Sequence, residues 1–234
     1  MIDKNRLCSL AKENGIILDD TALDRFDKYA ELLVEWNGKM NLTAITEPEE
    51  IEVKHFLDCL MLPKYFNLDY IQTVIDVGAG AGFPSVPLLI YKPDLCLTMM
   101  DAINKRLTFL DTAVHALGLE AQLIHERAEV AGQDKNYREM FDLATARAVA
   151  PMNVLAEYCL PFVKVGGYFV ALKGSNDDTE EAKNAIATLG GEVVDNISYK
   201  LNSTEPRSIV VIKKISQTPT QFPRKSKKIS TKPL

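Results

Sequence analysis

Residues 73–90, "TVIDVGAGAGFPSVPLLI", decide how the chain is to be read. An apolar run containing Asp76 is followed by Gly78, Gly80 and Gly82 on alternate positions, and the pattern then turns helical. A strand that enters a glycine-rich turn and then a helix is a nucleotide site: glycine lets a ligand approach the backbone, and the helix start offers unpaired N–H groups. A dinucleotide fingerprint, G-x-G-x-x-G, needs its third glycine where backbone amides meet a pyrophosphate. Phe83 occupies that place here, and Pro84 and Pro87 at the helix start have no N–H to give. A ligand without phosphates fits better, and S-adenosylmethionine is such a ligand. Asp101 closes the next strand candidate, 19 residues after Gly82. Its carboxylate is expected beside the loop, within reach of ribose hydroxyls. NAD would use the same carboxylate, so Asp101 supports the site without choosing the ligand. Asp76 either binds the amino group of the cofactor through water or braces the loop.

Outward from this stretch, short apolar runs alternate with helical patterns. "TVIDV", "LCLTMMD", "AQLIHE", "FDLATA", "YFVALKG", "EVVDNISY" and "SIVVIKK" are the seven strand candidates. Between two of them, Leu107, Leu110, Val114 and Leu117 line one helix face. The alternation predicts a mostly parallel sheet with helices on both faces, a Rossmann-like α/β fold. The last two strands have no helix between them and are expected to pair antiparallel at one edge. Before the sheet, residues 3–66 read as helices, with Leu23, Phe26, Ala30 and Leu33 forming a stripe behind an N-cap at Asp20. The expected division is an N-terminal helical segment over 1–70, the ligand-binding α/β domain over 71–215 and a basic C-terminal tail over 216–234.

The chain is 234 residues long, 47% hydrophobic and 25% charged, an ordinary globular composition. No apolar run reaches the roughly 18 residues of a membrane helix, and the charged start lacks the apolar core of a signal peptide, so a cytoplasmic protein with no membrane partner is expected. Cys8, Cys59, Cys96 and Cys159 lie far apart without a C-x-x-C spacing, which favours reduced thiols over a metal site. The net charge of −5 hides an asymmetry. Residues 207–234 carry 8 basic and no acidic residues, leaving 19 basic against 32 acidic, or −13, for the first 206. A basic end on an acidic body points to a polyanion met at one edge, or to a solvated terminus that keeps the protein soluble.

Several stretches then become recognisable. "DVGAGAGFPSVPLLI", "DAINKRLTFL", "ERAE", "FDLATARAVAPMNVLAEYCLP" and "GGYFVALKG" closely resemble the bacterial glucose-inhibited division protein B family of small-subunit ribosomal RNA guanine-N7 methyltransferases. "EWNGKMNLTAI" and "KHFLDCL" resemble the leading segment of that family. The resemblance implies a class I methyltransferase fold, S-adenosylmethionine as cofactor, and one guanine of 16S ribosomal RNA as target, guanine 527 in the family's naming. Carried over by position, Gly78, Phe83, Ala128, Glu129 and Arg147 would meet the cofactor. Two positions depart from the family: Ser85 replaces a frequent glycine, and Cys59 replaces a usual serine.

Methyl transfer from a sulfonium needs mainly positioning of the nucleophile. The chain has neither a proline-cysteine pair for attack on cytosine carbon nor an N-P-P-Y-like tetrad for exocyclic amines. "TARAVAP" after the fourth strand offers no carboxylate. Guanine N7 carries a free lone pair and needs no base, so this inventory is consistent with it. His55 and Asp58, three apart on one helical face, either line the acceptor pocket with Arg147 or tie the helical segment to the sheet. Asn37 and Asn41 either brace the chain or touch RNA. Lys173, Arg207, Arg224, Lys225, Lys227 and Lys228 are candidate phosphate contacts, and Trp36 reads as core rather than as a stacking platform. Because the glycine loop is far from the tail in sequence, removal of residues 223–234 is expected to weaken RNA binding and to leave cofactor affinity nearly constant. The expected partner is 16S ribosomal RNA or the small ribosomal subunit, with the protein acting as a monomer. A nicotinamide-dependent oxidoreductase and a non-catalytic ribosome-assembly factor are the rival readings.

Overall fold

The structure is a computed structural model and describes residues 1–147, 150–174 and 178–234. At its N-terminal end, α1 (Lys4–Glu13) and α2 (Asp20–Asn37) form where the sequence places helices. The cap of α2 is Asp19 rather than Asp20: its carboxylate accepts the Ala22 N–H at 2.7 Å, and its own backbone is extended. A single turn, α3 (Pro48–Glu50), passes into a π-helical stretch, Ile51–Leu57, and then into α4 (Asp58–Tyr65).

The sheet holds β1 (Thr73–Val77), β2 (Cys96–Asp101), β3 (Gln122–His125), β4 (Phe141–Arg147), β5 (Val163–Lys173), β6 (Gly191–Leu201) and β7 (Glu205–Lys214). All seven lie in one sheet in the order β3-β2-β1-β4-β5-β7-β6. Every neighbouring pair is parallel except those involving β7, which runs antiparallel to both β5 and β6. The expected terminal hairpin is therefore present, with β7 inserted beside β5 and β6 at the edge.

Helices α5 (Ser85–Tyr91), α6 (Asn104–Ala116), α7 (Ala128–Ala131), α8 (Met152–Cys159) and α9 (Thr179–Thr188) connect the strands, and α10 (Ser226–Thr231) follows the sheet. Strand alternation sorts two cores. Ile209 and Val211 of β7 join Val74, Leu97, Leu107 and the N-terminal helices, whereas Val210 and Ile212 join Ile75, Leu155 and Ile186 on the other face. Leu7, Phe26, Tyr29 and Phe56 share the first core with the sheet, so the N-terminal helices form a layer of the same core. Trp36 packs there too, its ring 5.8 Å from that of Phe109. Among the described residues no helix is long and apolar enough to cross a membrane, and no group of three or more His, Cys, Asp or Glu is arranged to hold a metal ion.

Candidate active site

In a mostly parallel sheet a ligand belongs at the carboxyl ends of the strands. Two cavities open there, linked where Lys173, which lines one, donates to the carbonyl of Ala150, which lines the other, at 3.3 Å. The larger hollows, of about 760 Å³ each, lie at the opposite edge, beside residues such as Thr73, Cys96, Gln122 and Asp142 where strands begin. The first site cavity, about 260 Å³, is lined by Val77, Gly78, Asp101, Ile103, Ala128, Glu129 and Tyr158, among others.

The glycine loop is held in shape by its own amides. Gly78 and Ala79 donate to the Met100 carbonyl at 2.9 Å, Gly82 donates to Ala79 at 2.7 Å, and Gly80 donates to Asp101 Oδ2 at 2.9 Å. With those four N–H groups spent inside the protein, the loop retains little to offer a pyrophosphate. The glycines serve different needs. Gly78 lines the cavity. Gly82 has φ +85°, and a Cβ there would lie 2.6 Å from Val86 Cγ2 and 2.8 Å from the Tyr29 hydroxyl. That hydroxyl donates to the Ala81 carbonyl, fastening α2 to the loop.

Asp101 sits at the end of β2, as expected, and lines the cavity. It also accepts from Ile103 N–H at 2.8 Å and from Arg106 at 3.2 Å, so it braces the loop as well as facing the ligand space. Asp76 lies wholly buried behind the loop; its Oδ2 accepts from the Ser85 hydroxyl, and burial pushes its carboxyl up to about 7. Ser85, where a glycine is frequent in the resembling family, thus supplies the partner of a buried acid. Oδ1 of Asp76 has no hydrogen-bond partner among the described residues. The Phe83 ring is turned toward the second cavity: it stacks on His55 at 4.2 Å and lies 4.7 Å beneath the Arg147 guanidinium.

The second cavity, about 380 Å³, is lined by Lys54, His55, Asp58, Arg147, Lys173 and Arg207 with Ile45, Leu172 and Gly174. Arg147, the last residue of β4, is its centre. It donates to His55 Nδ1 at 3.0 Å, to the Lys54 carbonyl at 3.1 Å and to Asp58 Oδ2 at 3.3 Å. Arginine has no acceptor, so His55 Nδ1 must accept, which leaves Nε2–H to donate to Thr43 Oγ1 at 2.9 Å. Burial and the Arg147 charge pull the imidazole down to about 3, so it is neutral in the physiological range. Asp58 also accepts from the Tyr199 hydroxyl at 3.1 Å and faces Arg207 at 3.4 Å. Burial pushes its carboxyl above its usual range against the pull of both arginines, and burial with the Asp58 charge keeps Tyr199 protonated. His55 and Asp58 therefore line this cavity and also tie the helical layer to the sheet through Arg147. Cys59 and Cys159 are buried and burial raises their thiols, which removes them as nucleophiles.

Other expected site residues find different employment. Asn37 Oδ1 accepts from the Leu42 and Thr43 amides at 2.8 and 3.0 Å, holding the loop that presents Thr43 to His55, whereas Asn41 is exposed. Lys173 pairs with Asp178 at 3.0 Å and donates to the Ala150 carbonyl at 3.3 Å, while Arg207 pairs with Glu205 at 2.8 Å. Arg224 is a correction to the phosphate-contact set: its guanidinium is bonded to the wholly buried Glu157 carboxylate at 2.6–3.1 Å. Lys225, Lys227 and Lys228 are exposed. Within "TARAVAP", Ala148 and Val149 fall outside the described residues. Sequence reasoning missed Thr43, Lys54, Tyr158, Tyr199 and Ser226. Thr43, Lys54 and Tyr158 carried a signal, inside "EWNGKMNLTAI", "KHFLDCL" and "FDLATARAVAPMNVLAEYCLP"; Tyr199 and Ser226 are ordinary residues until the fold gathers them.

Comparison with known proteins fixes what this arrangement belongs to. The family model for GidB, rRNA small subunit methyltransferase G, matches residues 22–209. The chain belongs to this family. Proteins named ribosomal RNA small subunit methyltransferase G are 48% identical in Exiguobacterium sp., over the full length of both chains, and 49% identical in Alkaliphilus metalliredigens, over 95% of each. Among solved structures, TYW2 of M. jannaschii in complex with AdoMet aligns with a TM-score of 0.52 at 14% identity, covering 68% of this chain and 77% of that one. TrmN from Thermus thermophilus aligns with a TM-score of 0.52 at 17% identity, covering 67% and 48%. At these identities the structural likeness speaks for the fold, and the family match carries the classification.

Proposed function

We propose that this protein transfers the methyl group of S-adenosylmethionine to N7 of one guanine in 16S ribosomal RNA. The observation that carries the reading is the pairing of two cavities across the end of β4. One is lined by Asp101 and Glu129 beside a glycine loop whose amides are largely spent, and the other is lined by Arg147, Arg207, Lys54 and Lys173 around a neutral histidine.

The first cavity suits S-adenosylmethionine. Asp101 and Glu129 are acceptors for hydroxyl or amino donors, while Ile103, Ala128 and Leu155 give apolar surface for a flat ring. The cations beside them already face carboxylates of the chain: Arg106 lies 3.2 Å from Asp101, and Arg127 lies 3.9 Å from Glu129. Bound there, S-adenosylmethionine supplies a methyl group already activated by its sulfonium. The chain's own residues hold and orient the acceptor. Lys54, Lys173 and Arg207 lie where an RNA phosphate would exchange for Glu50, Asp178 and Glu205, which now pair with them at 2.7, 3.0 and 2.8 Å. Arg147, fixed by His55, Asp58 and the Lys54 carbonyl, can donate toward a guanine edge. No proton is taken up from N7, so a pocket whose histidine is neutral and whose carboxylate is tied to arginines is chemically sufficient.

The test is methyl incorporation from labelled S-adenosylmethionine into small subunits and into free 16S RNA, with the modified base mapped. A label at one guanine, as an N7-methyl, is the expected result. Cofactor binding with no incorporation into any form would favour a non-catalytic assembly factor, and binding of NAD in place of S-adenosylmethionine would favour an oxidoreductase.

A further inference from the structure

The basic C-terminal segment does something its composition does not announce. Ser226, in α10, lines the same cavity as Asp101 and Glu129, and its hydroxyl lies 3.3 Å from that of Tyr158 of α8, another lining residue. The segment is fastened to both walls of that cavity. On the α8 side, Glu157, next to Tyr158, accepts from the Arg224 backbone N–H at 2.8 Å and from its guanidinium. On the α7 side, where Ala128 and Glu129 stand, Arg138 donates to the carbonyls of Gly132, Thr218 and Phe222 at 2.6–2.8 Å. Gln133 donates to the Pro223 carbonyl at 3.0 Å, and a Cβ on Gly132 would meet Pro223 at 2.9 Å. Phe222 is buried in the second core, Ile229 is wholly buried, and the Lys214 ammonium inside the protein holds Thr218 at 2.8 Å.

We infer that residues 218–229 form a strap that completes the cofactor cavity, with Ser226 contacting the cofactor and the Arg224–Glu157 pair acting as its positioning clamp. A flexible solvated tail would have neither an internal carboxylate partner nor a buried anchor. Here both are present, and they set Ser226 against a cavity whose other polar lining comes from strand ends, α6, α7 and α8. The inference rests on the reading of that cavity as the S-adenosylmethionine site. It replaces the expectation that the tail and the cofactor are independent, which came from separation along the chain.

The experiment uses the full chain and S-adenosylmethionine itself, with affinity read by calorimetry and folding by thermal denaturation. Ser226→Phe puts bulk into the cavity, and Ser230→Phe, on an exposed position of the same helix, puts equal bulk outside it. Ser226→Phe should weaken cofactor binding by about tenfold or more at an unchanged melting temperature, and Ser230→Phe should leave affinity as it was. Glu157→Gln, which loosens the clamp, should raise KM for S-adenosylmethionine while KM for the small subunit stays put. Equal cofactor affinity in wild type and Ser226→Phe, both folded, would overturn the strap. Failure of the wild-type chain to bind S-adenosylmethionine would instead overturn the cofactor reading on which the strap depends.

Discussion

Asp101 divides its two oxygens among Gly80, Ile103 and Arg106 while facing the cavity. Asp101→Ala therefore removes a brace and, on the proposed reading of the cavity, a ligand acceptor as well. Two amides lose their acceptor, at about 1–3 kcal/mol for each that stays dry, so the melting temperature should fall along with cofactor affinity. Loss of a charge-assisted bond to the ligand corresponds to roughly a ten- to hundredfold rise in Kd. Calorimetry with an unchanged Kd would take Asp101 out of the site. His55 yields a pH prediction. Held down to about 3, it refuses a proton that the unfolded chain accepts near 6.5. The stability it contributes is complete above pH 6.5 and is lost as pH falls toward 3, with a limiting slope of about 1.4 kcal/mol per pH unit for one proton. His55→Gln should flatten the fall in melting temperature between pH 6.5 and 4.5 relative to wild type. Parallel curves would show that the imidazole is not buried neutral against Arg147.

Among the elements, the glycine loop separates two reasons for glycine. Gly82 combines φ +85° with side chains and a hydroxyl inside 2.8 Å of a would-be Cβ, whereas Gly80 has φ +59° and nothing nearer than 3.8 Å. Gly82→Ala should cost the left-handed penalty plus overpacking of about 1–3 kcal/mol, and Gly80→Ala the backbone penalty alone, about 1–2 kcal/mol. Urea denaturation that ranked the two the other way round would refute the packing role of Gly82. At this scale the sequence was most readable. Each strand carries its own apolar run, and the missing helix between β6 and β7 foretold their antiparallel pairing. The start of β5 was overlooked because "VKVGG" reads as a turn, although Val163 pairs with Phe141 across a shift in register. The π-helical stretch that carries His55 left no periodic mark, since one wide turn differs from an α-helical turn only in which backbone groups bond. The second cavity was half legible for a similar reason. Residue type named Arg147, His55 and Asp58, but Tyr199 arrives from 141 residues away along the chain.

For the molecule as a whole, the question is how an acidic body meets a polyanion. Composition placed the answer in eight basic residues from Arg207 onward, and the fold reassigns several of them. Lys214 is buried, Arg224 is bound to Glu157, and Arg207 belongs to the cavity beside Arg147. What the C-terminal segment presents to solvent is Lys225, Lys227, Lys228 and Lys232. Counting charges could not separate these groups, because burial and ion pairing depend on acids such as Glu157 that are distant in sequence. The structure also allows the electrostatic role to be tested apart from the strap. Replacing those four lysines with glutamine keeps Phe222, Arg224, Ser226 and Ile229, and hence the anchors and the cavity wall. If three of the four neutralise phosphates, the slope of log affinity for RNA against log salt should fall in magnitude by about 2 to 3, with the S-adenosylmethionine Kd unchanged. Binding isotherms at several salt concentrations would decide it. A slope equal to that of wild type would move the RNA-approach surface to the cavity cations Lys54, Lys173 and Arg207, where their glutamine variants should then carry the loss.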